Sequence, residues 1–261
     1  MKCEHCNNEL NKCPVCDSGM IVARANKRYY SCTECNIQIL IGADVSCDKE
    51  FYNEVYLEDI PAEKNVLTIN RTHYAKIFDM LNNEVEYTDM CDIVDRKITT
   101  CYCYGGGFPQ IEMFLPVDTI QVYDLIAPKY SKNIKVLKEV YDNPSVTIKY
   151  KTHDLLNGIV KSTEPSFITF VHILEHFSGD DIRKIFASVD SKLAKNSYGL
   201  IYQPNILKAK HKDWVHYVAH DQHLTFYTID VFTTLINSFK NLEVIHSMTF
   251  SDDLLILFKR I

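Results

Sequence analysis

Residues 170–177 read FVHILEHF and set His172, Glu175 and His176 into a run that otherwise has the composition of a core. An imidazole ionises near neutral pH and can take or give a proton there, and imidazole with carboxylate can also hold a metal ion. The plain alternative is a strand that ends and a helix that begins. Two further stretches carry side chains capable of chemistry. CPVCDSGMIVARANKRYYSCTEC spaces Cys13, Cys16, Cys32 and Cys35 as C-x2-C-x15-C-x2-C. QPNILKAKHKDWVHYVAHDQHL holds His211, His216, His220 and His223 beside Lys208, Lys210, Lys212 and Trp214.

The cysteine spacing is the most specific of these signals. A two-residue gap lets one tight turn aim both sulfurs at a single ion, and two such turns complete a tetrahedral thiolate site. MIVAR and RYYS, between the pairs, alternate well enough to form a small antiparallel hairpin, which is the arrangement of a zinc ribbon. Four thiolates leave no coordination position open, so zinc there supplies folding energy and not Lewis acidity. The competing reading is four ordinary or redox-active cysteines. A third pair, Cys3 and Cys6, has no assigned role: it could join Cys47 or His5 in a second site, replace another pair, or stay idle.

The chain has 261 residues, enough for one large domain and a small one. Lys and Arg number 28 against 34 Asp and Glu, a formal net charge of −6. That balance argues against a general binder of nucleic acid or membrane surfaces. The start, MKCEHCNNEL, lacks the apolar core of a signal peptide, and no apolar run approaches the ~18 residues of a membrane helix. A soluble cytoplasmic protein is the expectation, and in a reducing compartment paired cysteines point to metal before disulfides.

The elements that must position these groups can be read from periodicity. RTHYAKIFDMLNNEV carries Tyr74, Ile77, Phe78 and Leu81 at helical spacing. KITTCYCY, TIQVYD, SVTIKY, SFITFVHI and YGLIYQ are short β-rich runs. SKNIKVLKEVY and DDIRKIFASVDSKLAK are helical segments between some of them. Such alternation implies right-handed crossovers and a parallel sheet covered on both faces. LEVIHSMTF and DDLLILFKRI, with only a turn between them, predict an antiparallel hairpin at one edge. The expected organisation is a zinc ribbon over residues 1–46, a connector with a helical segment over 47–97, and an α/β domain over 98–261.

In an open α/β sheet the ligand sits beyond the carboxyl ends of the strands. The first strand leads into YGGGFPQIE, whose Gly105, Gly106 and Gly107 permit a tight turn and close backbone approach. Nineteen residues past Gly105, the second strand ends in Asp124, placed to accept both hydroxyl hydrogens of a ribose. The third leads to Asp154, positioned to face an adenine amino group, and the fourth into FVHILEHF. Each acid alone also reads as a helix cap.

In this order and spacing, the chain resembles the class I S-adenosylmethionine (SAM)-dependent methyltransferases, in particular a sugar-methyltransferase-like subgroup with an amino-terminal zinc ribbon. The resemblance rests on CPVC…CTEC, EFYNEVY, the glycine loop, Asp124, Asp154, HILEH, GLIYQPN and HDQHLTFYTIDVFTTLI, and so covers nearly the whole chain. It departs from the family where acid-x-G-x-G-x-G becomes Cys103-Tyr-Gly105-Gly-Gly107-Phe-Pro109. A second departure is His172, where glutamate is common. The resemblance implies a seven-stranded Rossmann-like sheet binding SAM through Gly105, Gly107, Asp124, Asp154 and His172. It also implies structural Zn2+ on Cys13, Cys16, Cys32 and Cys35, and a small-molecule acceptor, a sugar or nucleotide-linked sugar first.

His172, His220 and His223 are the candidate catalytic residues. Methyl transfer asks an enzyme mainly to align donor and acceptor and to remove a proton from the acceptor. In a metal-dependent version, His172, Glu175 and His176 would hold a divalent ion with His220 or His223. Two other functions compete: methylation of RNA gripped by the lysine-rich loop, and a catalytically silent binding module.

Overall fold

A computed structural model of the protein describes residues 21–23, 29–32, 34, 38–40, 64–84, 98–105, 107–125, 134–205 and 225–261. Cys13, Cys16, Cys35, His220 and His223 lie outside the described residues, as do Cys3, Cys6, Cys47 and the whole of Lys208–Trp214. Strands β1 (Ile21–Ala23), β2 (Tyr29–Cys32) and β3 (Gln38–Leu40) precede helix α1 (Lys64–Glu84). Then come β4 (Thr100–Tyr104), β5 (Thr119–Asp124), α2 (Ile134–Val140), β6 (Thr147–Thr152) and β7 (Phe167–Val171). The chain continues through α3 (Gly179–Lys192), β8 (Tyr198–Pro204), β9 (Thr225–Phe226), α4 (Ile229–Asn237), β10 (Leu242–Phe250) and β11 (Asp253–Arg260).

Seven strands form one sheet in the order β10-β11-β8-β7-β4-β5-β6. Strands β4 to β8 pair in parallel, while β11 runs antiparallel to both β8 and β10. The chain thus builds outward from β4 through β5 to β6, then returns to the other side of β4 for β7 and β8. That reversal puts the ligand-binding crevice of an open α/β sheet between β4 and β7. The expected terminal hairpin is present, with one refinement: its second strand, β11, inserts between β8 and the edge strand β10. Leu254, Leu255, Ile256, Leu257 and Phe258 are all buried, the composition of an inner strand and not of an edge.

Side chains of alternate residues divide between two cores. Cys101 and Cys103 of β4, with Leu200 and Tyr202 of β8, face α1 and α2 through Leu67, Ile77, Leu81 and Leu137. Tyr104, Phe170 and Ile201 face α3 and α4. In α3 the residues Ile182, Ile185, Phe186 and Val189 form one helical stripe, each almost fully buried. Ser178 caps that helix by accepting from the Asp181 N–H at 3.2 Å. Burial of the stripe, roughly 1.5–3 kcal/mol per side chain, outweighs the cap at about 1 kcal/mol.

The three amino-terminal strands form a second small sheet. β1 and β2 pair antiparallel, with Ile21 opposite Cys32, as MIVAR and RYYS predict. Its outer strand is β9, which joins β3 through Gln38–Phe226 and Ile39–Thr225 pairs. Cys32 is buried against the α3/α4 core. No described helix is long and apolar enough to cross a membrane.

Candidate active site

Strand register sets the site. Tyr104 lies beside Tyr123 and Phe170, and Val171 beside Tyr202, so Gly105, Asp124 and His172 emerge at one edge of the sheet. The Gly105 N–H donates to the Tyr123 carbonyl at 3.1 Å, which prolongs the ladder by one residue. Gly105 has φ +75° and Gly107 φ +49°. A Cβ on Gly105 would lie 2.4 Å from the Ile173 Cβ. The glycine is therefore required twice, by its dihedral and by the close approach of the FVHILEHF turn.

His172 follows β7 directly and is itself left-handed, φ +48°. For a non-glycine residue this costs about 1–3 kcal/mol, and such strain collects at functional positions. Its N–H donates to the Tyr202 carbonyl at 3.0 Å, which continues the β7–β8 pairing by one residue. The ring is 40% exposed and stands edge-on to the Tyr202 ring, centroids 5.3 Å apart. Glu175 and His176 fall in the short turn Leu174–His176 and are both buried. His172 Nδ1 is 3.9 Å from Glu175 Oε1, too long for a hydrogen bond. Among the described residues no group of three or more His, Cys, Asp or Glu side chains is arranged to hold a metal ion.

Of the two strand-end acids, Asp124 closes β5 and its carbonyl accepts from the His153 N–H at 3.1 Å. Asp154 Oδ1 accepts from the Leu156 N–H at 2.9 Å, so this acid caps the turn Leu155–Asn157. The capping role that the sequence left open is present, and it fixes one of the two carboxylate oxygens.

Two groups escaped the sequence reading. Glu112, at the start of the short turn Glu112–Phe114, is fully buried and accepts from the Thr169 hydroxyl. It also lies within reach of the Cys103 thiol, and burial pushes both the Glu112 carboxyl and that thiol above their ordinary values. Where the family pattern has an acid, this chain has Cys103 with an acid brought against it from the loop. No local motif announces that exchange.

The second group is His73 of α1, Tyr202 of β8 and Asp253 of β11. Tyr202 donates its hydroxyl proton to Asp253 Oδ2 at 2.5 Å, and His73 Nε2 lies 2.8 Å from the same hydroxyl oxygen. Burial lowers the His73 pKa, partly offset by the Asp253 carboxylate, and raises that of Tyr202. A signal existed: His73 shares the i, i+4, i+8 stripe of Ile77 and Leu81. Asp253 likewise alternates in step with Leu255 and Leu257.

The strand order, the antiparallel β11 and the glycine turn at the switch point together make this a Rossmann-like methyltransferase fold. Solved structures with the same fold include an O-methyltransferase family protein from Burkholderia thailandensis. It is 13% identical, with a TM-score of 0.54 over 80% of this chain and 63% of that one. Mitomycin 7-O-methyltransferase MmcR is also 13% identical, with a TM-score of 0.51 over 76% of this chain and 60% of that one. At these identities the likeness is one of fold, and the chain spans less than two thirds of either neighbour's length. No protein-family model and no curated protein sequence matches the chain.

Proposed function

We propose that the protein is a cytoplasmic SAM-dependent methyltransferase with a small-molecule acceptor, a sugar or nucleotide-linked sugar. The observation that carries this reading is the convergence of Gly105, Asp124 and His172 on one sheet edge, at the switch point of a methyltransferase-type sheet. The residues present suit the cofactor. Gly105, required by its φ of +75° and by the approach of Ile173, keeps the turn after β4 tight at the end of the strand. Gly107 is also left-handed, φ +49°, and Asp124, at the end of the neighbouring strand, is the ribose-side candidate. Asp154, with one oxygen given to its cap, is the adenine-side candidate.

SAM supplies an electrophilic methyl group on a sulfonium. The chain's part is to align the acceptor, exclude water and take its proton. His172, half-buried and fixed at the mouth of β7, is placed for acceptor or cofactor contact. His220 and His223, between β8 and β9 in sequence, are the other candidates. The lysines at 208, 210 and 212 suit a phosphorylated acceptor. At a net charge of −6 the chain is a poor general ligand for RNA.

The same reading includes structural zinc on Cys13, Cys16, Cys32 and Cys35. Antiparallel pairing brings the entry to β1 and the exit from β2 to the same end of the hairpin. In sequence, those are the ends that carry the two cysteine pairs.

Calorimetric titration with SAM and S-adenosylhomocysteine (SAH) tests the cofactor site. Micromolar binding is expected for the wild type. Asp124→Ala, losing hydrogen bonds to a charged acceptor worth about 1.5–3 kcal/mol, should bind roughly 10–150-fold more weakly. A wild-type chain that binds neither ligand overturns the reading.

A further inference from the structure

Methyl transfer to a hydroxyl needs a proton acceptor, and the hydrogen bonds beside His172 identify one that its position in sequence does not. The Asp253 carboxylate can only accept, so the single Tyr202 hydroxyl proton is committed to it. The Tyr202 oxygen is then an acceptor toward His73, and the Nε2 that lies 2.8 Å away must carry a hydrogen. Nε2–H occupied in this way leaves the lone pair of neutral His73 on Nδ1. No described residue hydrogen-bonds to that nitrogen.

The surroundings hold the imidazole still. Its ring packs edge-on against Tyr74, Tyr202 and Phe250 at centroid distances of 5.5, 6.4 and 5.0 Å. Among the described residues, the charged and titratable groups that face it are Asp253 from β11, His172 from the turn after β7, Tyr202 from β8, and Lys76 and Tyr74 on α1. Asp253 favours the imidazolium, whereas burial, Lys76 and His172 disfavour it, and the net shift is downward. His73 is therefore neutral and able to accept a proton at physiological pH.

We infer that His73 is a catalytic base of the site, oriented by Tyr202 and Asp253, and that His172 beside it contacts the acceptor. The inference rests on the methyl-transfer reading above. In the step it describes, His73 Nδ1 takes the acceptor's hydroxyl proton. The acceptor oxygen forms a bond to the methyl carbon, and the methyl–sulfur bond breaks with its electron pair remaining on sulfur, giving SAH and a methyl ether. The resulting imidazolium keeps its Nε2–H on Tyr202, whose hydroxyl stays bonded to Asp253. Tyr202 and Asp253 are positioning residues that set which nitrogen reacts.

Nitrogen-15 NMR of histidine-labelled protein tests the orientation without any acceptor. His73 should show one tautomer, protonated on Nε2, and should titrate below 6.5. Tyr202→Phe should release it to a mixture of tautomers. A His73 protonated on Nδ1, or unchanged by Tyr202→Phe, overturns the inference.

Transfer of tritiated methyl from SAM to a panel of UDP-, GDP- and dTDP-linked sugars tests the role. His73→Gln should lower kcat by about 10²–10⁴-fold while SAH affinity and the thermal transition stay near wild type. The wild-type rate should rise with pH through the His73 titration and then level off. Tyr202→Phe should lower kcat less and displace that rise. A His73→Gln variant with kcat within about threefold of wild type, well short of the general-base range, overturns the role. Failure of wild-type protein to bind SAH sinks the methyltransferase reading separately, because the tautomer result does not depend on it.

Discussion

Replacing Gly105 with alanine probes the contact between the glycine turn and the FVHILEHF turn. Two costs follow from the structure. Holding a non-glycine residue at φ +75° costs roughly 1–2 kcal/mol. The new Cβ would sit 2.4 Å from Ile173 Cβ and Cγ1 and 2.6 Å from Cδ1, an overpacking worth about 1–3 kcal/mol. Together these give roughly 2–5 kcal/mol, or a fall in Tm on the order of 10 °C for a chain of this length. Urea and thermal unfolding followed by circular dichroism would measure it, with SAH titration alongside. The diagnostic comparison is the same substitution in an Ile173→Ala background. Two of the three crowding atoms are then gone while the dihedral cost remains, so Gly105→Ala should be milder there by about 1 kcal/mol or more. If the two substitutions add within about 0.5 kcal/mol, close approach of Ile173 is not what requires the glycine, and the reasoning fails.

Glu112→Gln should abolish a pH dependence of stability. Burial raises the folded carboxyl above its ordinary 4.5, so the native state holds this proton more tightly than the unfolded chain. Its contribution is complete below 4.5 and is lost as pH rises through the folded value. The variant's Tm should therefore gain on the wild type's with rising pH, and a constant difference would contradict this. Tyr104→Phe leaves the Val160 N–H without its 2.8 Å acceptor and should cost about 1–3 kcal/mol in urea unfolding, with no change expected in SAH affinity. Elemental analysis of purified protein should find zinc bound by the cysteine set, and Cys32→Ser should reduce it. A metal-free wild type that unfolds at the same temperature would remove zinc from the account.

Much of the α/β core was legible because side-chain period is a local property. TIQVYD and LEVIHSMTF coincide with β5 and β10 residue for residue. Helix α1 was legible only from Arg71 onward. Its first turns hold Val66, Thr68 and Ile69, β-branched residues that propensity disfavours, and Ile69 is 69% exposed. The insertion of β11 between β8 and β10 could not be read, because which strand neighbours which is decided by packing across the chain. The site divided in the same way. Gly105, Asp124 and His172 follow strands and could be found by counting along the sequence. Glu112 against Cys103, and His73 with Tyr202 and Asp253, join elements far apart in sequence, so only the assembled fold brings them together.

The pairing of β3 with β9 has a consequence for how the chain is made. Ile39 is synthesised long before its partner Thr225. At about 5–20 residues per second, the outer edge of β3 waits many seconds with its backbone groups unpaired. An open edge of that kind is a template for pairing with other chains. A chain cut before residue 225 would keep that edge exposed.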